Sequence, residues 1–418
     1  MNDTQVSPRI GQQLDCVIVG GGLAGGLIAL ALQRARPDFR IALVEAGKVL
    51  GGNHRWSWFD SDLSGEGRAL LSGFRQTEWD DGYEVAFPQY CRALKTPYRS
   101  MASADFHSGL VRELPEDALM LGRKAVSLDA RGVDIEDSQG QVTRLEARSV
   151  IDCRPFEPSL HLTGGWQVFL GRHMRMEQPH HISRPVIMDA HVDQLAPHGN
   201  GGAYRFVYVL PLGAHDLFVE DTYYADEPAL DRSALSARID AYATAKGWSD
   251  YAILGHETGM LPVLTGGDFA AHQRSVRIEG VTLAGARGGF THPLTSYTLP
   301  MAVENAIAIA RDADLTGLQL SLMFEARARR HWSRTSFYRL LARMLFHAAK
   351  PERRVQIFQR FYRLRPGLIE RFYAARSTLM DKTRILAGKP PVSIMRAIAA
   401  IFSRGTALTR NPTPKDNE

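Results

Sequence analysis

Asp15-Cys16-Val17-Ile18-Val19-Gly20-Gly21-Gly22-Leu23-Ala24-Gly25-Gly26, followed by an apolar run and then Leu43-Val44-Glu45-Ala46, decides the fold of this chain. A short β-branched run enters a glycine turn, and small residues then open a helix rich in alanine and leucine. Gly20, Gly22 and Gly25 read as G-x-G-x-x-G. Gly20 allows the tight turn, Gly22 lets backbone approach a pyrophosphate, and Gly25 lets helix pack closely on strand. Leu23 and Ala24 start the helix, whose free N–H groups and positive dipole end suit phosphate. Glu45 ends a second strand, where a carboxylate can accept hydrogen bonds from a ribose. Strand, turn, helix, strand and acid in register point to a bound dinucleotide. A membrane span or signal peptide over Leu14 to Leu32 conflicts with Asp15 and the glycine cluster. Met1 to Gln13, which precedes it, is polar and has no cationic leader.

With 418 residues the chain can form two or three domains with ample cores. Its three cysteines, Cys16, Cys91 and Cys153, are far apart, which fits a reducing compartment without disulfides. The histidines lack metal-ligand spacing, so no metal is implied. The net charge of +5 hides an asymmetry. Residues 316–418 carry 21 Lys+Arg against 6 Asp+Glu, and residues 1–315 carry 29 against 39. An acidic body with a basic end suggests an anionic partner, nucleic acid or lipid.

Along the chain, Ala104 to Leu114 predicts a helix, followed by strands at Ala125–Leu128, Gly132–Glu136 and Ser149–Asp152. The region from 164 to 275 alternates with period two, and Arg205–Pro211 with Asp216–Tyr223 predicts a hairpin of an antiparallel sheet. Arg232 to Lys246 predicts a helix. Val281 to Gly285 is a second buried strand entering a glycine turn, and Pro300 opens a helix at a favoured first-turn position. From Leu315 onward the pattern is helical. Phe337, Leu340, Leu341, Met344 and Leu345 form one apolar stripe, Phe358, Phe361 and Tyr362 a second, and Ile394, Met395, Ile398 and Phe402 a third.

Two glycine strands some 260 residues apart favour FAD over a nicotinamide nucleotide, because FAD lies extended and needs contacts to its second half. Gly285, Arg287 and Pro300 are the candidate contacts there. The motifs Gly51-Gly52-Asn53-His54-Arg55-Trp56-Ser57-Trp58, Phe218-Val219-Glu220-Asp221-Thr222 and Phe290-Thr291-His292-Pro293-Leu294-Thr295-Ser296-Tyr297 resemble the bacterial lycopene cyclases of carotenoid synthesis. The resemblance runs from about Asp15 to Ala310. It implies an isomerase that holds reduced FAD, uses NAD(P)H only to reduce it, and closes β-ionone rings on lycopene without net redox change. A FAD-dependent isoprenoid reductase or hydroxylase, consuming NAD(P)H stoichiometrically, is the alternative. The second glycine run, Ala284-Gly285-Ala286-Arg287-Gly288-Gly289, lacks the Gly-Asp-Ala acid common in flavoproteins, which weakens that alternative.

Protonating an alkene requires a carboxylic acid kept neutral by apolar burial. The resemblance assigns acid–base catalysis to the motif of Glu220, with Asp221 supporting it from the opposite strand face. Trp56, Trp58, Tyr208 and Tyr297 are expected to hold the cation by their ring faces, and His292 to border the substrate. Arg55 is left between a phosphate and a carboxylate as its partner.

The expected fold class is α/β, with a two-dinucleotide-type FAD-binding (Rossmann-like) domain, an antiparallel β substrate domain and a C-terminal helical region. Residues 1–75, 125–160 and 276–315 are assigned to the first domain and 76–124 and 161–275 to the second. Residues 316–410 are a basic amphipathic membrane-docking region and 411–418 a disordered tail. The basic end lacks nucleic-acid-binding signatures and holds no apolar run long enough to span. The basic end thus points to an anionic membrane surface rather than nucleic acid, and the resemblance implies lipid-dissolved lycopene and other enzymes of the pathway as partners. The expected location is cytoplasmic, peripheral to the inner membrane.

Overall fold

The strand Leu14–Val19 lies inside a seven-stranded sheet. Ile41–Glu45 and Val142–Asp152 flank it in parallel, and Val281–Leu283 adds to the far side of Val142–Asp152, again in parallel. In this computed structural model, residues 13–194, 204–228, 230–349, 354–387 and 405–409 are described, with positions 395, 399 and 400. Such near-continuous apolar strands belong to a sheet covered on both faces. The helices Leu23–Ala35, Ser103–Glu113 and Leu299–Arg311 cover one face with Leu27, Phe106, Leu110, Val303 and Ala306, and Val133, Ile135 and Leu145 of the antiparallel strands cover the other.

A second, eight-stranded sheet holds the alternating middle of the chain. Its order is Tyr251–Gly267, Ser159–Met176, Asp216–Ala225, Tyr204–Pro211, Val186–Asp189, Tyr83–Phe87 and Tyr90–Leu94, and Ala407–Leu408 also pairs with Ser159–Met176. The predicted hairpin is present, with Leu210 opposite Phe218 and Tyr208 opposite Glu220. Three short strands, Arg55–Phe59, Tyr98–Ala102 and Thr77–Trp79, form a small third sheet.

Two assignments change. Leu119–Leu121 pairs with Ile41–Glu45, and Ser103–Glu113 packs on the first helix, where a Cβ at Gly26 would meet Phe106 and Leu110. The segment from 103 to 121 therefore belongs with the nucleotide sheet, not with the substrate sheet. The stripe residues Phe337, Leu345 and Tyr362, with Phe372 and Tyr373 of a later helix, are buried in one core with Phe206 and Tyr224 of the antiparallel sheet. Most of the C-terminal apolar stripe is therefore interior wall, because a stripe pattern alone does not say which surface covers it. The Ala407–Leu408 strand is a further departure from an all-helical end. Ile394, Ile398, Phe402 and residues 411–418 lie outside the described residues.

Candidate active site

The first glycine turn is built as a phosphate cradle. Gly20 has φ +100°, and a Cβ there would press on the Cys153 carbonyl. A Cβ at Gly25 would collide with the Gly20 carbonyl oxygen, so only glycine lets the helix start this close to the turn. Gly22, the N-cap of Leu23–Ala35, has no atom within 4 Å of where a Cβ would stand. That open space at a helix N-terminus without acidic first-turn residues fits a pyrophosphate. Glu45 accepts hydrogen bonds from Gly21 N (2.8 Å) and Gly47 N (2.7 Å), which fixes the loop at the strand end. Gly285, at φ +60°, sits against the first helix, where a Cβ would stand 2.9 Å from that of Ala24. The two glycine motifs thus meet in space. Pro300 lies in the first turn of Leu299–Arg311, with Thr298 as N-cap.

Arg287 is used differently from the expected cofactor contact. Its guanidinium pairs with the buried Asp152 (3.0 Å) and with Glu157 (2.9 Å), and Arg154 also binds Asp152 (2.8 Å). An acid at the end of a parallel strand is neutralised by these two arginines.

Glu220 and Asp221 point to opposite faces of their strand. Asp221 is fully buried under the helix Arg232–Ala245, held by Arg205 at 2.5 and 2.8 Å and by Arg238 at 3.5 Å. Asp221, expected to support catalysis, thus sits in an ion-pair anchor on the sheet face away from Glu220. Glu220 shares its face with Tyr208, Phe218 and Thr222, and Thr222 Oγ1 donates to it at 2.6 Å. Opposite Glu220 on the neighbouring strand is Gly171, and opposite Gly171 on the next strand is Glu257. The two carboxyls hydrogen-bond across the glycine, and desolvation raises both above the usual carboxylate range. Like charges this close cannot both ionise cheaply. Glu257, which the sequence reading missed, is 7% exposed. A carboxylate 37 residues away on a strand of irregular alternation gives no local signal.

The aromatic loop closes this pair from the nucleotide side. Asn53 Nδ2 donates to the His256 carbonyl at 2.6 Å, and the Arg55 backbone N–H bonds the Glu257 carboxyl. The Arg55 guanidinium lies 5.5 Å above the Phe218 ring, and its charge faces Glu257. Its Nη1 donates to Ser100 Oγ at 3.3 Å, and Glu257 and Asp105 are the carboxylates that act on its charge.

Beside this row opens an apolar cavity with about 1170 Å³ of space between atoms, part of it continuous with solvent. Phe206, Tyr208 and Tyr224 line it from the sheet, Tyr297 from the motif loop, and Phe358, Phe361 and Tyr373 from the C-terminal helices. Glu220 itself is outside this lining and borders it through Tyr208. Tyr208 and Tyr297 share a hydrogen bond, and the Tyr297 hydroxyl is 3.4 Å from that of Tyr98.

The other expected substrate contacts lie elsewhere. Trp58 is 1% exposed and, with Trp56, packs into the core around the first helix; Trp56 meets Phe106 edge-on at 5.2 Å. His292 is fully buried, with Nδ1 accepting from Leu294 N and Thr295 N and Nε2 bonded to the Phe372 carbonyl at 3.1 Å. Burial lowers its pKa to about 3, so it is neutral and ties the motif loop to the helix Pro366–Tyr373. Neither tryptophan nor His292 lines the cavity. Among the described residues no cluster of metal-ligating side chains occurs.

Parallel nucleotide sheet, glycine cradle and antiparallel substrate sheet together define an FAD-type α/β enzyme architecture. The chain is similar in fold to a geranylgeranyl bacteriochlorophyll reductase-like protein from Thermoplasma acidophilum. The TM-score is 0.60 at 13% identity, covering 91% of this chain and 97% of that one. It is also similar to salicylate hydroxylase in complex with substrate, with TM-score 0.53 and 15% identity over 88% and 99% of the two chains. The sequence then narrows the class. The family described as lycopene cyclase protein matches residues 15–399, and the chain belongs to it. It is 41% identical to the lycopene beta-cyclase of Pseudescherichia vulneris, over 93% of this chain and 97% of that one. It is 39% identical to the lycopene beta-cyclase of Paracoccus sp. (strain N81106 / MBIC 01143), over the same shares.

Proposed function

We propose that this protein is a lycopene beta-cyclase that converts the linear ends of lycopene to β-ionone rings by proton-initiated cyclisation. The observation that supports it best is a half-buried carboxyl at Glu220, hydrogen-bonded by Thr222 and pushed above the usual carboxylate range, beside an aromatic chamber. Raised to about 7, this carboxyl keeps a proton to give at neutral pH far more often than an ordinary carboxylate does. Glu220 protonates the terminal double bond, attack of the neighbouring alkene on the tertiary cation closes the ring, and loss of a proton from the resulting ring cation forms the ring double bond. No electrons are gained or lost. The ring faces of Tyr208, Tyr297 and Tyr373 face the cation without offering a strong nucleophile, each contributing about 0.5–2 kcal/mol when desolvated. The cradle of Gly20, Gly22 and Gly25 binds the pyrophosphate of FAD, with Glu45 at the ribose. Reduced FAD, with NAD(P)H as its reductant, would supply negative charge to the site when bound.

The substrate resides in lipid, and the protein docks on the inner membrane from the cytoplasmic side. No described helix is long and apolar enough to cross a membrane. The helix Leu379–Leu386 exposes Leu379 (78%) and Met380 (81%) beside Lys382 and Arg384, and its Ile385 and Leu386 line the cavity. Apolar tips bordered by cations suit the headgroup boundary, and they lie at the chamber's own wall.

Glu220→Gln in cells that accumulate lycopene tests the chemistry by product chromatography. The variant is expected to purify yellow with flavin and to form no cyclic product. Near-native turnover with chemically reduced flavin would refute the role of Glu220.

A further inference from the structure

The row across the antiparallel sheet places Tyr208, Glu220, Gly171 and Glu257 on four adjacent strands, all on one face. Register partners on adjacent strands are about 5 Å apart, so residues separated by a middle strand are normally about 10 Å apart. Two long side chains can bridge that distance only where the middle residue leaves the floor clear. Gly171 does so, and the Phe218 ring fills the floor instead, since a Cβ at 171 would run into that ring. Charged groups on the surrounding elements are few. Thr222 bonds Glu220, and Asp221 lies through the sheet with Arg205 and Arg238. Arg55 faces Glu257 with Asp105 behind it, and His173, further along the middle strand, is engaged by Asp216 at 3.3 Å.

We propose that Glu257 is a positioning residue for the proton donor: its carboxyl hydrogen-bonds Glu220 across Gly171 and stabilises the carboxylate left when Glu220 gives its proton to the polyene. This rests on the donor role of Glu220. The competent pair holds two protons. In the step, the Glu220 O–H bond breaks, a C–H bond forms at the terminal alkene carbon, and the O–H electron pair stays on the Glu220 oxygen. A single negative charge is then shared by two hydrogen-bonded carboxyls, with the Glu257 O–H as donor. The proton released on ring closure restores the pair, so nothing is consumed. Arg55, over Phe218 and facing Glu257, lowers the cost of that charge without replacing the proton.

The test is the pH dependence of cyclisation by flavin-loaded enzyme in vesicles containing lycopene, with three variants compared with the parent. Glu257→Gln retains an N–H donor and is expected to cyclise with its alkaline limb near that of the parent. Glu257→Ala removes the donor, and the anion of Glu220 loses a charge-assisted hydrogen bond. The rate should fall roughly ten- to a hundred-fold, and the alkaline limb should move to higher pH. A fall in Glu257→Ala with an unmoved limb marks a merely structural residue and overturns the proposal. So does a Glu257→Gln that binds flavin yet is inactive, since Glu257 would then itself be the donor. An active Glu220→Gln refutes the parent reading instead. An inactive Glu220→Gln beside a fully active Glu257→Ala sinks only this inference.

Discussion

Asp221 and Glu220 are neighbours in one motif, and the structure separates their jobs so that one substitution distinguishes them. Asp221→Asn keeps size and shape but removes the anion between Arg205 and Arg238. Asp221 is fully buried and Arg205 8% exposed, with contacts of 2.5 and 2.8 Å. Removing one member of a buried pair leaves an uncompensated charge and costs about 3–5 kcal/mol; here a second cation 3.5 Å away adds repulsion. Unfolding in urea, followed by circular dichroism and flavin fluorescence at neutral pH, should therefore show a much lower midpoint. Cyclisation per folded, flavin-bound molecule should stay within a few-fold of the parent. Asp221 also raises the Glu220 pKa electrostatically, so the alkaline limb should move slightly to lower pH. Glu220→Gln should behave in the opposite manner, stable and inactive. An Asp221→Asn as stable as the parent yet devoid of activity would refute this division of roles.

Two glycines of the cradle should respond differently to alanine. Gly22→Ala places a methyl in open space, so the flavin-free protein should melt as the parent does while flavin affinity, measured by fluorescence titration, falls at least about ten-fold, or ~1.4 kcal/mol. Gly25→Ala drives a methyl into the Gly20 carbonyl and should destabilise even the flavin-free protein, by about 1–3 kcal/mol; equal melting of the two variants would argue against the cradle. Leu379→Asp with Met380→Asp should weaken co-sedimentation with anionic vesicles at low salt while leaving stability unchanged, because both side chains are largely exposed. Undiminished binding would move the docking site away from this helix.

Local features of the fold were legible in the sequence. The glycine turn, the 205–223 hairpin and the proline-opened helix each follow from backbone demands a few residues long. The site was legible only where its residues lie within one motif. Glu257 meets Glu220 because a glycine lies between their strands, a tertiary coincidence with no periodic trace. Trp56 and Trp58 carry the same apolar pattern whether they face a cavity or a core, and burial against the first helix decides the matter. The arginine-bordered stripes after residue 336 were visible as helices, but not that the antiparallel sheet, rather than lipid, would cover them.

The chamber's outer wall comes from residues 337–386, whereas the parallel sheet is finished at residue 283. During synthesis the nucleotide half can therefore mature while no hydrophobic compartment yet exists to be filled. The chamber is sealed late, by helices whose remaining exposed edge carries Leu379 and Met380. Assembly order alone thus leaves the aromatic face of Phe206, Tyr208 and Tyr224 without its cover until the helices that close it have been translated.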